Sequence, residues 1–96
     1  MTPYVMAERG IKHMTKIMRK LFELVGKNVT IITIHKWFGT EKFECEFDFI
    51  NDNDRIGFKV LNKEIYLLKN EIVSAEQINK TCYIRDALME IAIIHK

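Results

Sequence analysis

The chain has 96 residues, 48% apolar and 29% charged, with a net charge of +2. That balance suits one soluble globular domain spanning residues 1–96, able to bury a core without disulfides or a metal. One proline and four glycines leave no linker or low-complexity segment, and no apolar run approaches the ~20 residues of a membrane span.

Residues 1–26 read as a helical N-terminal element. Thr2-Pro3 is a plausible start, since threonine caps and proline suits the first helical position. Ile11, Met14, Met18, Leu21 and Val25 recur at spacings of three and four, which predicts an apolar stripe widened by Ile17 and Leu24. Gly10 weakens the helix and marks a candidate break, and Gly26 is the expected left-handed cap. Residues 1–27 carry six basic and two acidic side chains, a net of +4, whereas residues 28–96 carry nine and eleven, a net of −2. The expected role of these lysines is to solvate the outer helix face; the alternative is attraction of a polyanion.

Asn28–His35 is rich in Val, Ile and Thr and predicts a strand with apolar groups on both faces. Such a strand is expected to be covered twice, once by the strand core and once by the helix or a neighbouring subunit. Lys36-Trp37-Phe38-Gly39-Thr40 follows as a connection with two adjacent aromatics. The expected arrangement is a lid folded back over the core; the alternative makes Trp37 and Phe38 interface anchors or a stacking platform.

From Lys42 to Glu76 the side chains alternate. Phe43, Cys45, Phe47 and Phe49 are apolar, and Glu44, Glu46 and Asp48 between them are acidic. Period two marks a strand buried on one face. After the polar turn Asn51-Asp52-Asn53-Asp54 the pattern resumes at Ile56, Phe58 and Val60, and after Asn62-Lys63 at Ile65 and Leu67. A four-residue first turn predicts Phe49 opposite Ile56, Phe47 opposite Phe58, Cys45 opposite Val60 and Glu46 opposite Lys59. The second turn then predicts Val60 opposite Ile65 and Phe58 opposite Leu67. A break near Lys69-Asn70-Glu71 and a short strand around Ile72 follow. Residues 88–95 fit a helix or a strand; the expectation is a last strand that closes a barrel, after a helical turn at Tyr83–Ala87.

The predicted fold is therefore mainly β with an N-terminal helix, a five-stranded SH3/Sm-like open barrel over residues 27–96. Leu24-Val25-Gly26-Lys27-Asn28-Val29-Thr30-Ile31, Phe47-Asp48 and Leu68-Lys69-Asn70-Glu71-Ile72-Val73 resemble the motifs of the Sm/LSm family over about residues 11–76. Asp52 stands where that family has an RNA-contacting asparagine, with Asn51 and Asn53 beside it. Lys69-Asn70 stands for its Arg-Gly pair, and Cys45 for a strand glycine. The resemblance implies ring-forming self-association through strand edges and single-stranded RNA contact by Asn51, Lys69 and Asn70.

No enzyme, cofactor or metal signature stands beside these motifs. Glu44, Glu46 and Asp48 have a spacing compatible with paired carboxylates, yet a solvated strand face is the expected reading. Asn51–Asp54 lacks the spacing of a calcium loop; His13, His35 and His95 are scattered. Cys45 and Cys82 are expected as free thiols, which with no secretion-like N-terminus points to the cytoplasm. The expected function is a non-catalytic binding module that forms a homo-oligomer, with RNA as candidate ligand and no membrane or small-molecule substrate. The alternative is a structural or protein-interaction accessory protein without a nucleic-acid ligand.

Overall fold

The computed structural model describes residues 16–96. The expected start at Thr2-Pro3, the break at Gly10 and the stripe positions Ile11 and Met14 lie outside these residues. Helix α1 occupies residues 16–24. Ile17, Leu21 and Leu24, spaced by four and three, are buried; Met18 is half-buried at their flank. The stripe is thus centred one position round from the expected one, and Val25 is exposed because the helix ends before it. Gly26 adopts the left-handed conformation expected of a cap, at φ 82°.

Eight strands follow: β1 (Asn28–His35), β2 (Gly39–Glu46), β3 (Phe49–Asn51), β4 (Arg55–Val60), β5 (Lys63–Leu68), β6 (Ser74–Ile78), β7 (Thr81–Arg85) and β8 (Met89–His95). All pairings are antiparallel, in a five-stranded sheet of order β2-β1-β8-β7-β6 and a three-stranded sheet of order β3-β4-β5. A 3₁₀ turn at Lys69–Glu71 leads from β5 towards β6. Among the described residues the architecture is mainly β with one helix, as the alternation requires, but it has eight strands rather than five and does not close. The helical turn expected at Tyr83–Ala87 is not formed: Tyr83 lies in β7, which pairs with β8 on one side and β6 on the other. Ambiguous apolar runs become strands here because β1 offers β8 a complete antiparallel ladder from Val29–His95 to His35–Met89.

The two sheets are joined by a bend between β2 and β3. The Phe47 amide donates to the Lys27 carbonyl at 2.9 Å, and the Gly26 amide donates to the Phe47 carbonyl at 3.0 Å, which extends the β1–β2 pairing. One residue later the Asp48 carbonyl accepts from the Lys59 amide at 2.9 Å, which extends β3–β4. The strand therefore changes partner between adjacent residues, as strands do at the corners of folded-over sheets.

The inner faces and the helix share one core. Phe47, Ile56, Phe58 and Leu67 enter from the bend and the three-stranded sheet. Val29, Ile31, Ile84, Ile91 and Ile93 enter from the five-stranded sheet, and Ile17, Leu21 and Leu24 from the helix. The helix thus joins the inner core and does not cover the outer face of β1, where Ile32 is half-buried and Ile34 exposed. Among the described residues no helix is long and apolar enough to cross a membrane.

Both hairpin registers are offset by two from expectation. Phe49 faces Phe58 and Asn51 faces Ile56; Phe58 faces Ile65 and Ile56 faces Leu67. Consequently Lys59 faces Glu64, not Glu46, whose partner is Asn28. The first turn is shorter than expected, and the second keeps two residues but sits one position earlier. Asp52 pairs with Arg55 through a 3.1 Å bond from the Asp52 amide, and Val60 pairs with Lys63 across Leu61-Asn62. Leu61 accordingly takes φ 55°, a conformation that costs an L side chain about 1–2 kcal/mol. An even offset leaves every side chain on its expected face, so the inward set is unchanged.

Strands β4 and β5 approach closely at Gly57. A Cβ there would run into the Ile65 carbonyl oxygen and lie 2.6 Å from the Tyr66 Cα. Gly39, at φ 84°, has open space around it. Gly57→Ala is expected to cost on the order of 2 kcal/mol or more, through forced backbone separation. Gly39→Ala is expected to cost about 1 kcal/mol, from conformational strain alone. Urea unfolding of the two variants gives the order, and a smaller loss at Gly57 contradicts the close approach.

Candidate functional site

Antiparallel pairing of β4 with β5 returns the end of β5 to the β3–β4 turn, because Leu68 faces Arg55. The Lys69 amide donates to the Asp54 carbonyl at 2.8 Å. Its side chain reaches Asn51, with Nζ donating to Oδ1 at 2.8 Å in a half-buried setting. Asn70 lies beside it, at the rim of a depression of about 400 Å³ lined by Asn53, Asp54, Leu68, Lys69 and Asn70. The three residues expected to contact RNA are thus gathered at one end of the three-stranded sheet, from segments 18 positions apart.

The turn beneath them is held together by side-chain hydrogen bonds. Asp52 Oδ1 accepts from the Asp54 amide at 3.0 Å and the Arg55 amide at 2.8 Å. The Arg55 guanidinium donates to Asp52 at 2.9 Å and 2.8 Å, lies 4.9 Å from the Tyr66 ring centre, and donates to Glu64 at 3.0 Å. Donation from Arg55, then from the Asp54 amide, holds the Asp52 carboxyl below the usual carboxylate range. The same partners, Asp52 before Glu64, push Arg55 upward. The sequence pattern marks Asn51–Asp54 as a polar turn and does not single out Arg55, Glu64 or Tyr66. The available signal was an Asp three residues before an Arg, the spacing of a side-chain-capped turn.

Chemically the depression presents an ammonium with two donors to spare and the amides of Asn53 and Asn70, against the carboxylate of Asp54. Such a set suits one phosphate or a base edge better than a run of phosphates.

The aromatic pair is a second feature. His35 pairs with Gly39, so the β1–β2 connection is only Lys36-Trp37-Phe38. His35 Nδ1 accepts from the Trp37 amide at 3.1 Å and the Phe38 amide at 3.3 Å. Its ring lies 4.6 Å from Phe38 and 6.0 Å from Trp37, centre to centre. Trp37 is 69% exposed and Phe38 80%. The expected lid is therefore not formed: the connection is too short to reach back, and Phe47 and Phe58 fill the core instead. Leu88, partly exposed, is tied to the same end by a 2.8 Å bond from the Lys36 amide to its carbonyl.

The acidic strand face is exposed, with Glu44 paired to Lys96 at 3.3 Å. The bend removes Asp48 from the line of Glu44 and Glu46, so the three carboxylates do not form a row on one strand. Among the described residues no three His, Cys, Asp or Glu side chains converge as metal ligands. Cys45 and Cys82 are free, and burial pushes both thiols up, partly opposed at Cys82 by the Lys20 charge. No family model, curated protein or solved structure matches the chain.

The Asp52 contact makes a pH prediction. A carboxyl whose folded value lies below its unfolded one, near 3.9, stabilises the fold above that pH, and the contribution is lost as pH falls through the folded value. The stability gap between the wild type and Asp52→Asn is expected to be largest near pH 6 and to shrink steadily below about pH 4. Denaturant midpoints across that range measure it, and a gap that widens in acid contradicts the assignment.

Proposed function

We propose that this chain is a non-catalytic, Sm-like binding module that self-associates and takes single-stranded RNA at Asn51, Lys69 and Asn70. The observation that carries this reading is the 2.8 Å contact from Lys69 Nζ to Asn51 Oδ1, which unites two motifs the sequence keeps apart. The helix leading into a sharply bent strand, followed by two tight hairpins and a 3₁₀ turn, supports an SH3/Sm-like open barrel as its ancestry of form. Strands β5 and β6 each end a sheet, and such edges favour pairing with another chain. Two unpaired thiols suit a reducing compartment such as the cytoplasm. At the site Lys69 neutralises a phosphate, while the amides of Asn53 and Asn70 meet base edges on their open sides.

A second reading, a protein-interaction module without a nucleic-acid ligand, draws on the exposed Trp37 and Phe38, whose amides His35 holds. Binding of labelled single-stranded RNA, followed by anisotropy over a salt series, separates the two. The first reading expects a shallow salt dependence, about −0.7 per phosphate neutralised, and roughly tenfold or greater weakening by Lys69→Ala. Absence of binding at low salt, or binding untouched by Lys69→Ala and Asn70→Ala, removes RNA from this site and leaves the second.

A further inference from the structure

Strand β2 ends the five-stranded sheet, and half of its peptide groups face away from its neighbour. Adjacent residues of an antiparallel strand turn their peptide groups to opposite sides. Phe47 directs both its amide and its carbonyl to the β1 side, where they bond to Lys27 and Gly26. Glu41, Phe43 and Cys45 therefore turn theirs towards β1, and Thr40, Lys42, Glu44 and Glu46 turn theirs outward. Among the described residues no strand pairs with β2 on that side. The side chains of the same four residues are exposed on the outer face of the sheet.

A bare edge of this kind is a template for a further strand, and charges on it ordinarily keep one off. Here the charges reject most pairings and accept one. A second copy that pairs antiparallel about a two-fold axis sets outer face beside outer face, so the axis passes through a residue of β2. An axis at Glu41, Lys42 or Glu44 places that residue against its own copy, like charge on like. An axis at Cys45 places Glu44 against Glu46. At Phe43 the outcome reverses: Lys42 faces Glu44 of the second copy, Glu44 faces its Lys42, and no like charges are directly opposed.

Both residues of these pairs turn their peptide groups outward, so each pair exchanges backbone hydrogen bonds as well. Among the described residues Lys42 makes no ion pair, and Glu44 stays exposed beside Lys96 at 3.3 Å. At the axis the half-buried Phe43 meets its copy on the inner face, a favourable cross-strand aromatic pair. We propose that two copies of this chain pair antiparallel through β2 with the axis at Phe43, joining their five-stranded sheets into one. The contact is isologous and closes at two chains. This inference rests on the self-association reading above and names its surface.

The test is mass in solution across a concentration series, by light scattering and sedimentation. The wild type is expected to reach two chains and stop. Lys42→Glu and Glu44→Lys each oppose like charges at both pairs and are expected to weaken pairing roughly tenfold or more. The double variant Lys42→Glu/Glu44→Lys restores both pairs and is expected to dimerise as the wild type does. Mixing the two single variants restores them too, because one strand then carries two carboxylates and the other two ammonium groups; heterodimers are expected, and their formation shows that both variants are folded. Pairing of β2 with β6 of the next copy predicts instead growth beyond two chains and no rescue by the exchange, since Ser74 would then face Glu44. Growth beyond two chains, single variants that keep the wild-type mass, or a double variant and a mixture that both stay monomeric, overturn the β2 contact while self-association stands. A wild type that stays a single chain at every concentration overturns both.

Discussion

The bend at Phe47-Asp48 is the constraint on which the architecture depends. Two successive peptide units serve different neighbours, Phe47 bonding to Gly26 and Lys27 and the Asp48 carbonyl accepting from Lys59. A strand continuing straight would leave those groups unpaired or extend a flat sheet with one face bare, and burying unpaired peptide groups is costly. Changing partners instead folds the sheet over itself. Phe47, at the corner, is then enclosed from both sides and stacks on Phe49 at 5.7 Å, and the helix seals the remaining side with Ile17, Leu21 and Leu24.

The Asn51–Lys69 site inherits its position from this corner. Once the chain leaves the β1–β2 hairpin, β3 pairs with β4, and β5 returns Lys69 to the β3–β4 turn. The ammonium of Lys69 and the side-chain Oδ1 of Asn51 meet because two short turns define where each strand ends. The aromatic tip lies at the other end of the β1–β2 hairpin, where β1 remains paired with β8 up to His35–Met89.

The turns show how local chemistry sets long-range geometry. Asp52 satisfies two amides and the Arg55 side chain, and Asp86 accepts from the amides of Leu88 and Met89 at 2.8 and 2.7 Å. His35 does the same at the aromatic tip with an imidazole nitrogen. In each case an acceptor side chain replaces backbone partners that the turn itself lacks, which is why these exposed connections are ordered enough to present a surface. Leu61 has no such support, and its strain is borne by the strands on either side.

The alternation from Phe43 to Leu67 determined by itself which side chains turn inward. Phe47, Ile56, Phe58 and Leu67 are buried as their period requires, and Gly26 ends the helix as its lack of a side chain allows. The same alternation left register open, since sliding by two residues preserves every face; only the tight turns of Asp52–Arg55 and Leu61-Asn62 chose among the options. Residues 88–95 suited helix and strand equally until β1 supplied a ladder. The orientation of Trp37 and Phe38 was likewise beyond local pattern, because an aromatic in a short loop is stable inward or outward according to whether the core has room. The gathering of Asn51 with Lys69, and the Arg55–Asp52–Glu64 network that sequence reading missed, belong to the tertiary structure. Local patterns encode which way a residue faces, whereas distance between segments exists only after the chain has bent.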